Sequence, residues 1–193
     1  MVARPGARGV LDSRMVIATP RLELIAATQA HLEAELEHPA GLSSLLGATV
    51  PASWPPGEYD RSAMAFFRRG LIDGGAGAIG WYGWYGVRRA TPEMPAHLVV
   101  SAGFIGPPDD SGAVEVGYSV VPEWRGQGIA TECVSALVQR AFDHGGVRRV
   151  VAHTAEGNSA SRGVLRRCGF ACVGAGADAN YLRFEHRRHE PVR

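Results

Sequence analysis

Apolar and polar residues alternate along Arg21 to Ala26 with the period of a half-buried strand. From Thr28 to Glu37 the spacing changes to that of a helix, with Leu32 and Leu36 on one face. Residues Pro51 to Gly57 (PASWPPG) form a loop by composition. Tyr59 to Asp73 is again helical, carrying Met64, Phe67 and Leu71 on one stripe until the glycines from Gly74 to Gly77 break it. Two strands are expected next, Ala78 to Val87 and His97 to Ile105, joined by a proline-containing loop. A turn over Pro107 to Gly112 leads into a third, Ala113 to Val120. The clearest helix runs from Gly128 to His144, with Ala130, Val134, Leu137, Val138, Ala141 and Phe142 along one face and Gly145 at its C-terminal cap. A strand over Arg149 to Thr154, a short helix over Ser159 to Arg167 and closing strands Ala171 to Gly174 and Tyr181 to His186 complete a mixed α/β pattern without a linker or structural repeat.

At 193 residues the chain is one domain by length, with 46% hydrophobic and 20% charged residues, the balance of a globular protein. The domain is placed at residues 15–193. Residues 1–14, which lack the apolar centre of a signal peptide, are expected to be a disordered tail. No apolar run approaches the ~18 residues of a membrane span, so a cytoplasmic protein is expected. A net charge of +1, with arginine pairs scattered along the chain, gives no basic surface for nucleic acid or an anionic membrane. All 20 basic residues are arginine. The absence of lysine removes Schiff-base chemistry and the lysine of a Walker phosphate loop. Cys133, Cys168 and Cys172 are an odd number without a staple-like spacing, and reduced thiols are expected; Cys168 and Cys172 could share a metal, but no further Cys or His completes a site nearby and none is expected.

The stretch VVPEWRGQGIATE, Val120 to Glu132, strips side chains from the backbone where the strongest helix begins. The first N–H groups of a helix lack partners and carry partial positive charge. Glycines at 126 and 128 let a ligand approach them, and Arg125 adds a charged donor at the rim. The chemistry is that of an anion cradle. A dinucleotide fingerprint fails here, since Thr131 holds the place of its last glycine.

RGQGIA resembles the R/Q-x-x-G-x-G/A acyl-CoA loop of the GNAT superfamily of N-acetyltransferases. The wider stretch EVGYSVVPEWRGQGIATE is similar to the RimJ/RimL ribosomal-protein acetyltransferase branch. A second element, NSASRGVLRRCGF from Asn158 to Phe170, resembles that branch's N-x-x-S-x-x-x-L-x-x-x-G-F, and TPRLEL its first strand. The resemblance runs from about Thr19 to the C-terminus and is loosest over Ala40 to Arg89, a region that shapes the acceptor site in this family. It implies a twisted mixed sheet with helices on both faces and a splayed parallel pair, Ala113–Val120 and Arg149–Thr154. Acetyl-CoA would enter the gap as co-substrate, its pantetheine against the backbone of Val120 and Val121 and its pyrophosphate on the N–H groups of Gln127, Gly128, Ile129 and Ala130. Asn158 and Ser161 would add contacts to the pantetheine arm and the sulfur. The acceptor would be a primary amine, on a small molecule or a protein N-terminus, and a homodimer is compatible with the family.

Amine acetylation needs a proton acceptor and a donor for the departing thiolate, and no metal. Glu115 shares a face with Gly117 and Ser119 by period-two alternation and is the candidate base, directly or through water; an ion-paired strand carboxylate is the other reading. Ser161 is the candidate donor to sulfur, because Leu165 stands where many members carry a tyrosine acid. A helical serine bonding back to a carbonyl is its alternative. Asn158 also fits a helix N-cap. His153 could face the cleft from its strand, but a lone strand histidine is more often structural, and Trp81, Tyr82, Trp84 and Tyr85 suit strand packing better than an acceptor pocket or a base-stacking platform. The expected activity is an acyl-CoA-dependent N-acetyltransferase. The rival is a catalytically silent acyl-CoA sensor or partner-binding module on the same scaffold.

Overall fold

The computed structural model describes residues 16–176 and 178–188. The expected tail at 1–14 lies outside them. Among the described residues eight strands form one sheet in the order β1-β2-β3-β4-β5-β6-β8-β7. They are β1 (Val16–Ala18), β2 (Leu22–Ala26), β3 (Gly83–Arg88), β4 (His97–Phe104), β5 (Ala113–Val120), β6 (Arg149–Ala155), β7 (Ala171–Ala175) and β8 (Tyr181–Arg187). All neighbours are antiparallel except β5 and β6, which run parallel and are paired only over Ala113–Glu115 and Arg149–Val151. Beyond Glu115 and Val151 the two strands separate. The mixed sheet with its splayed parallel pair is the architecture expected from the sequence.

Helices α1 (Gln29–Glu37), α2 (Pro39–Leu46) and α3 (Arg61–Gly74) cover one face. Helices α4 (Ile129–Asp143) and α5 (Ser159–Arg167) cover the other. Each face has its own core. Leu32, Leu42, Met64, Phe67 and Leu71 pack with Tyr85 and Leu98 on the first. Val134, Leu137, Leu165 and Phe184 pack with Trp84, Val99 and Val116 on the second. Trp84 and Tyr85 thus point to opposite cores, as successive strand residues must, and both are fully buried. The packing role expected for this aromatic run holds for them.

Three boundaries depart from the sequence pattern. The strand expected from Ala78 starts only at Gly83, because Gly75–Ala78 forms a 3-10 turn and Gly80 turns the chain at a φ of 88°. Helix α2 was not expected. Its proline, Pro39, stands at the first turn, where a missing N–H costs no helical bond. Strand β1 is too short to show a period.

The first core holds a buried carboxylate. Glu35 accepts from Trp54 Nε1 at 2.6 Å, from the Tyr59 hydroxyl at 2.7 Å and from the Tyr85 hydroxyl at 2.6 Å. Burial raises its pKa, against the opposing pull of the bonds from Tyr85, Tyr59 and Trp54. A raised carboxyl pKa means the folded state holds its proton more tightly, so this contribution to stability falls as pH rises through the window just above the ordinary carboxylate range. Glu35→Gln removes that titration and leaves at least one of the three donors without an acceptor, a loss of about 1–3 kcal/mol. Melting curves from acid to neutral pH should show the wild-type advantage over the variant shrinking as pH rises, then levelling. A constant difference would locate the stabilisation elsewhere.

Candidate functional site

The gap between β5 and β6 opens into a cleft of about 690 Å³. The volume is in the range of small-ligand sites. Its walls differ chemically. Arg125, Gly126, Gly128 and Arg167 line one end, at the start of α4, and Gly57, Glu58, Tyr59 and Phe67 line the wall on the α1–α3 face. Loop 51–60 reaches the cleft because Gly57 has no side chain. A Cβ there would fall 2.5 Å from Ser119 Oγ.

At the first end, the N–H groups of Gly126, Gln127, Gly128, Ile129 and Ala130 have no hydrogen-bond partner among the described residues. Gly126 and Gly128 adopt φ of 73° and 76°, a left-handed conformation in which a side chain is strained. Arg125 donates from Nε to the Val120 carbonyl at 2.9 Å, which leaves its terminal nitrogens at the cleft. The cradle is braced from behind. Glu132, in the first turn of α4, accepts from Thr19 Oγ1 at 2.6 Å, Arg21 N at 2.8 Å and Arg21 Nε at 2.7 Å. Arg21 Nη1 then donates to the Gln127 carbonyl at 2.8 Å. Burial opposes the charge on Glu132, but these bonds outweigh it and hold the carboxyl below its ordinary range. The Gln127 side chain folds away onto the Glu123 carbonyl, so only its backbone serves the loop.

Val121 differs from expectation. Its N–H donates to the Val99 carbonyl and its own carbonyl accepts from Trp124, so neither group is free for a ligand. Alternation along β5 turns the N–H and C=O of Val116, Tyr118 and Val120 toward the gap instead. Of the two residues expected at the arm, Val120 thus turns its backbone toward the gap, with its carbonyl accepting from Arg125 Nε, and Tyr118 turns the same way.

On the α4–α5 face, Asn158 caps α5 by accepting from the Ser161 N–H at 3.0 Å. Ser161 Oγ lies 2.9 Å from the Tyr118 hydroxyl, which also reaches the Ser161 carbonyl at 3.2 Å. All three residues line the cleft. Burial pushes the Tyr118 phenol up to about 12, so it is a neutral donor. Either hydroxyl can donate across the 2.9 Å contact, and when the phenol does so the serine proton is free to meet an acceptor in the cleft. Leu165 is fully buried between the helices, so a tyrosine at that position would collide with the core instead of reaching the cleft. Cys133 is equally remote from chemistry, its thiol pushed up to about 12 by burial.

On the other face, Glu115 and His153 meet at the point where β5 and β6 part, Oε1 to Nδ1 at 2.8 Å. His153 lines both the main cleft and a second cavity of about 410 Å³. Glu115 lines only the second. Glu115 thus pairs with His153, and of the two only His153 lines the main cleft. Tyr118 was not picked out from the sequence, and His153 was read there as more often structural. Both come into play through β5–β6 register and the α5 crossover, which no local pattern carries. Among the described residues no group of three His, Cys, Asp or Glu side chains could share a metal ion, and no helix is long and apolar enough to cross a membrane.

A parallel pair splayed over an unpartnered helix start is the ground plan of an acetyltransferase, and residues 21–171 match the family described as Acetyltransferase (GNAT) domain. The chain belongs to this family of N-acetyltransferases. It is 28% identical over 127 residues to the uncharacterized N-acetyltransferase YjdG of Bacillus subtilis, covering 65% of this chain and 71% of the relative. Among solved structures it resembles the acetyltransferase of Salmonella typhimurium that modifies the N-terminal serine of ribosomal protein L7/L12, with a TM-score of 0.58 at 19% identity over 89% of this chain and 97% of that one. A RimL ribosomal L7/L12 α-N-protein acetyltransferase in complex with coenzyme A superposes with a TM-score of 0.61 at 21% identity, over 89% and 97% of the two chains. These likenesses show a shared fold.

Proposed function

We propose that this protein transfers an acetyl group from acetyl-CoA to a primary amine, on a small molecule or a protein N-terminus, by direct attack. The observation that carries the reading is the run of unpartnered N–H groups from Gly126 to Ala130, opening onto a gap whose far end holds a proton acceptor. The pyrophosphate of CoA rests on those groups, with Arg125 at the rim. Its pantetheine follows β5 past Val120 and Tyr118, and Asn158 and Ser161 flank it from α5. The thioester then lies between Ser161 on one face and the Glu115–His153 pair on the other. The amine comes from the face of α1–α3, past Tyr59 and Phe67. A RimL acetyltransferase of the same fold forms a complex with coenzyme A, which supports acetyl-CoA as the co-substrate.

Acetyl-CoA at ~100 times its dissociation constant should stabilise the folded protein by about 2.7 kcal/mol. For a chain of this length that is a melting shift of roughly 5–10 °C. Pantetheine lacks the pyrophosphate and should shift it far less; equal shifts would remove the cradle from the cofactor site. Release of CoA is then followed over a panel of amines that includes peptides with varied N-terminal residues. Turnover with one of them supports the enzyme. Binding without turnover on any of them supports the silent sensor.

A further inference from the structure

We propose that His153, and not Glu115, takes the proton from the attacking amine, with Glu115 as the residue that positions it. This rests on the N-acetyltransferase reading above. The two side chains sit at the apex of the splay, just past the last paired residues Glu115 and Val151, where an arm threaded from the α4 end of the gap would finish. Of the two, only the imidazole lines the cleft. The carboxylate would have to reach past it.

The contact also fixes the ring. An ionised carboxylate accepts and never donates, so the 2.8 Å bond from Glu115 Oε1 requires the proton on His153 Nδ1. Nε2 then carries the lone pair, and it has no protein partner among the described residues. The other charged groups around this apex are already engaged. Arg183 on β8 stands opposite His153 in register and pairs with Glu185 at 2.9 Å. Arg149 on β6 donates to Ser111 at 2.7 Å, and Asp109 in the β4–β5 loop accepts from Ser111 and Ala113. Glu115 is the charged side chain in contact with the ring. Of the two side-chain types, an imidazole is the usual general base at neutral pH.

The step balances as follows. The amine nitrogen bonds to the thioester carbon, the C–S bond breaks, and its electron pair leaves on sulfur against the Ser161 hydroxyl. The surplus N–H proton passes to His153 Nε2, forming an imidazolium beside the Glu115 carboxylate. The proton leaves to water through the second cavity, which both residues line. The thiolate takes a proton from solvent, so amine and acetyl-CoA yield amide and CoA thiol.

The test compares His153→Gln and Glu115→Gln in the full chain, with an amine that the wild type acetylates. His153→Gln should lower kcat by ~10²–10⁴-fold. It should also erase the acidic limb of the kcat/KM profile, while the melting shift with acetyl-CoA persists. Glu115→Gln keeps an oxygen to accept from Nδ1, so its loss should stay within ~10-fold and should vanish in the His153→Gln background. Without any substrate, ¹⁵N resonances of the ring should report the tautomer protonated at Nδ1. The reverse order of losses, or a ring protonated at Nε2, overturns the proposal. An absence of CoA release from any amine sinks the N-acetyltransferase reading and this one with it. Wild-type turnover with an unimpaired His153→Gln variant sinks this one alone.

Discussion

Gly128→Val leaves a folded protein that no longer gains thermal stability from acetyl-CoA. Gly128 holds a φ of 76°, where a β-branched residue is a genuine outlier. The variant can relieve the strain, of order 1–3 kcal/mol, only by turning the peptide units on either side. Those units carry the N–H groups that the proposed pyrophosphate needs, so relief and loss of the cradle are the same movement. A Cβ at this position would also approach Arg21 Nη2 to 3.4 Å, pressing on the brace behind the loop. The starting melting temperature should fall by several degrees and the ligand-induced shift should disappear. Gly128→Ala, with a smaller side chain at the same φ, should fall between. A full shift in the valine variant would mean that the phosphates lie elsewhere.

Ser161→Ala should lower kcat by about 10²-fold with little change in acetyl-CoA affinity. One preorganised donor at a developing anion contributes ~2.7–4 kcal/mol where the anion is oxygen, and the lower end applies to the more diffuse charge of sulfur. An interaction made mainly in the transition state affects kcat and leaves binding alone. Tyr118→Phe removes the phenol that meets Ser161 Oγ across 2.9 Å. Acting through the serine, it should cost ~3–10-fold, the worth of one hydrogen bond, and should add nothing to Ser161→Ala. Single-turnover rates on the two single variants and the double variant decide the matter. A Tyr118→Phe loss larger than that of Ser161→Ala would make the phenol itself the donor to sulfur.

How much of this was legible before the structure depends on the distance along the chain over which each feature is set. Strand β5 and helix α5 match the sequence pattern residue for residue, and α4 to within one residue at each end. Their apolar periods are strong and their caps, Asn158 and the glycines at 128 and 145, are local. The cradle was legible for the same reason, since a helix start and two glycines lie within five residues. Nothing local says that Glu35 will collect Trp54 and Tyr59 from one loop and Tyr85 from a distant strand. Nor does period-two alternation alone bring Glu115 to His153, 38 residues apart, or Tyr118 to Ser161, 43 apart. Both contacts depend on the register of a parallel crossover, which is fixed only when α4 packs on the sheet. The motif RGQGIA marked where an anion would sit, and tertiary packing decided which side chains would meet at the other end of the gap.

The brace from Thr19 and Arg21 to Glu132 and Gln127 joins the N-terminal edge of the sheet to the loop at the start of α4. Strand β1, three residues at that edge, pairs only with β2 among the described residues. Two sites that share such a strut are thermodynamically linked, and linkage is reciprocal. Whatever affinity an anion gains because the loop is held in its braced form, the edge gains back as resistance to local opening when the anion binds. Fraying of β1 and β2 and occupancy of the cradle are therefore opposed equilibria. A strand or partner that pried the edge away would loosen the ligand by the same factor by which the ligand protects the edge.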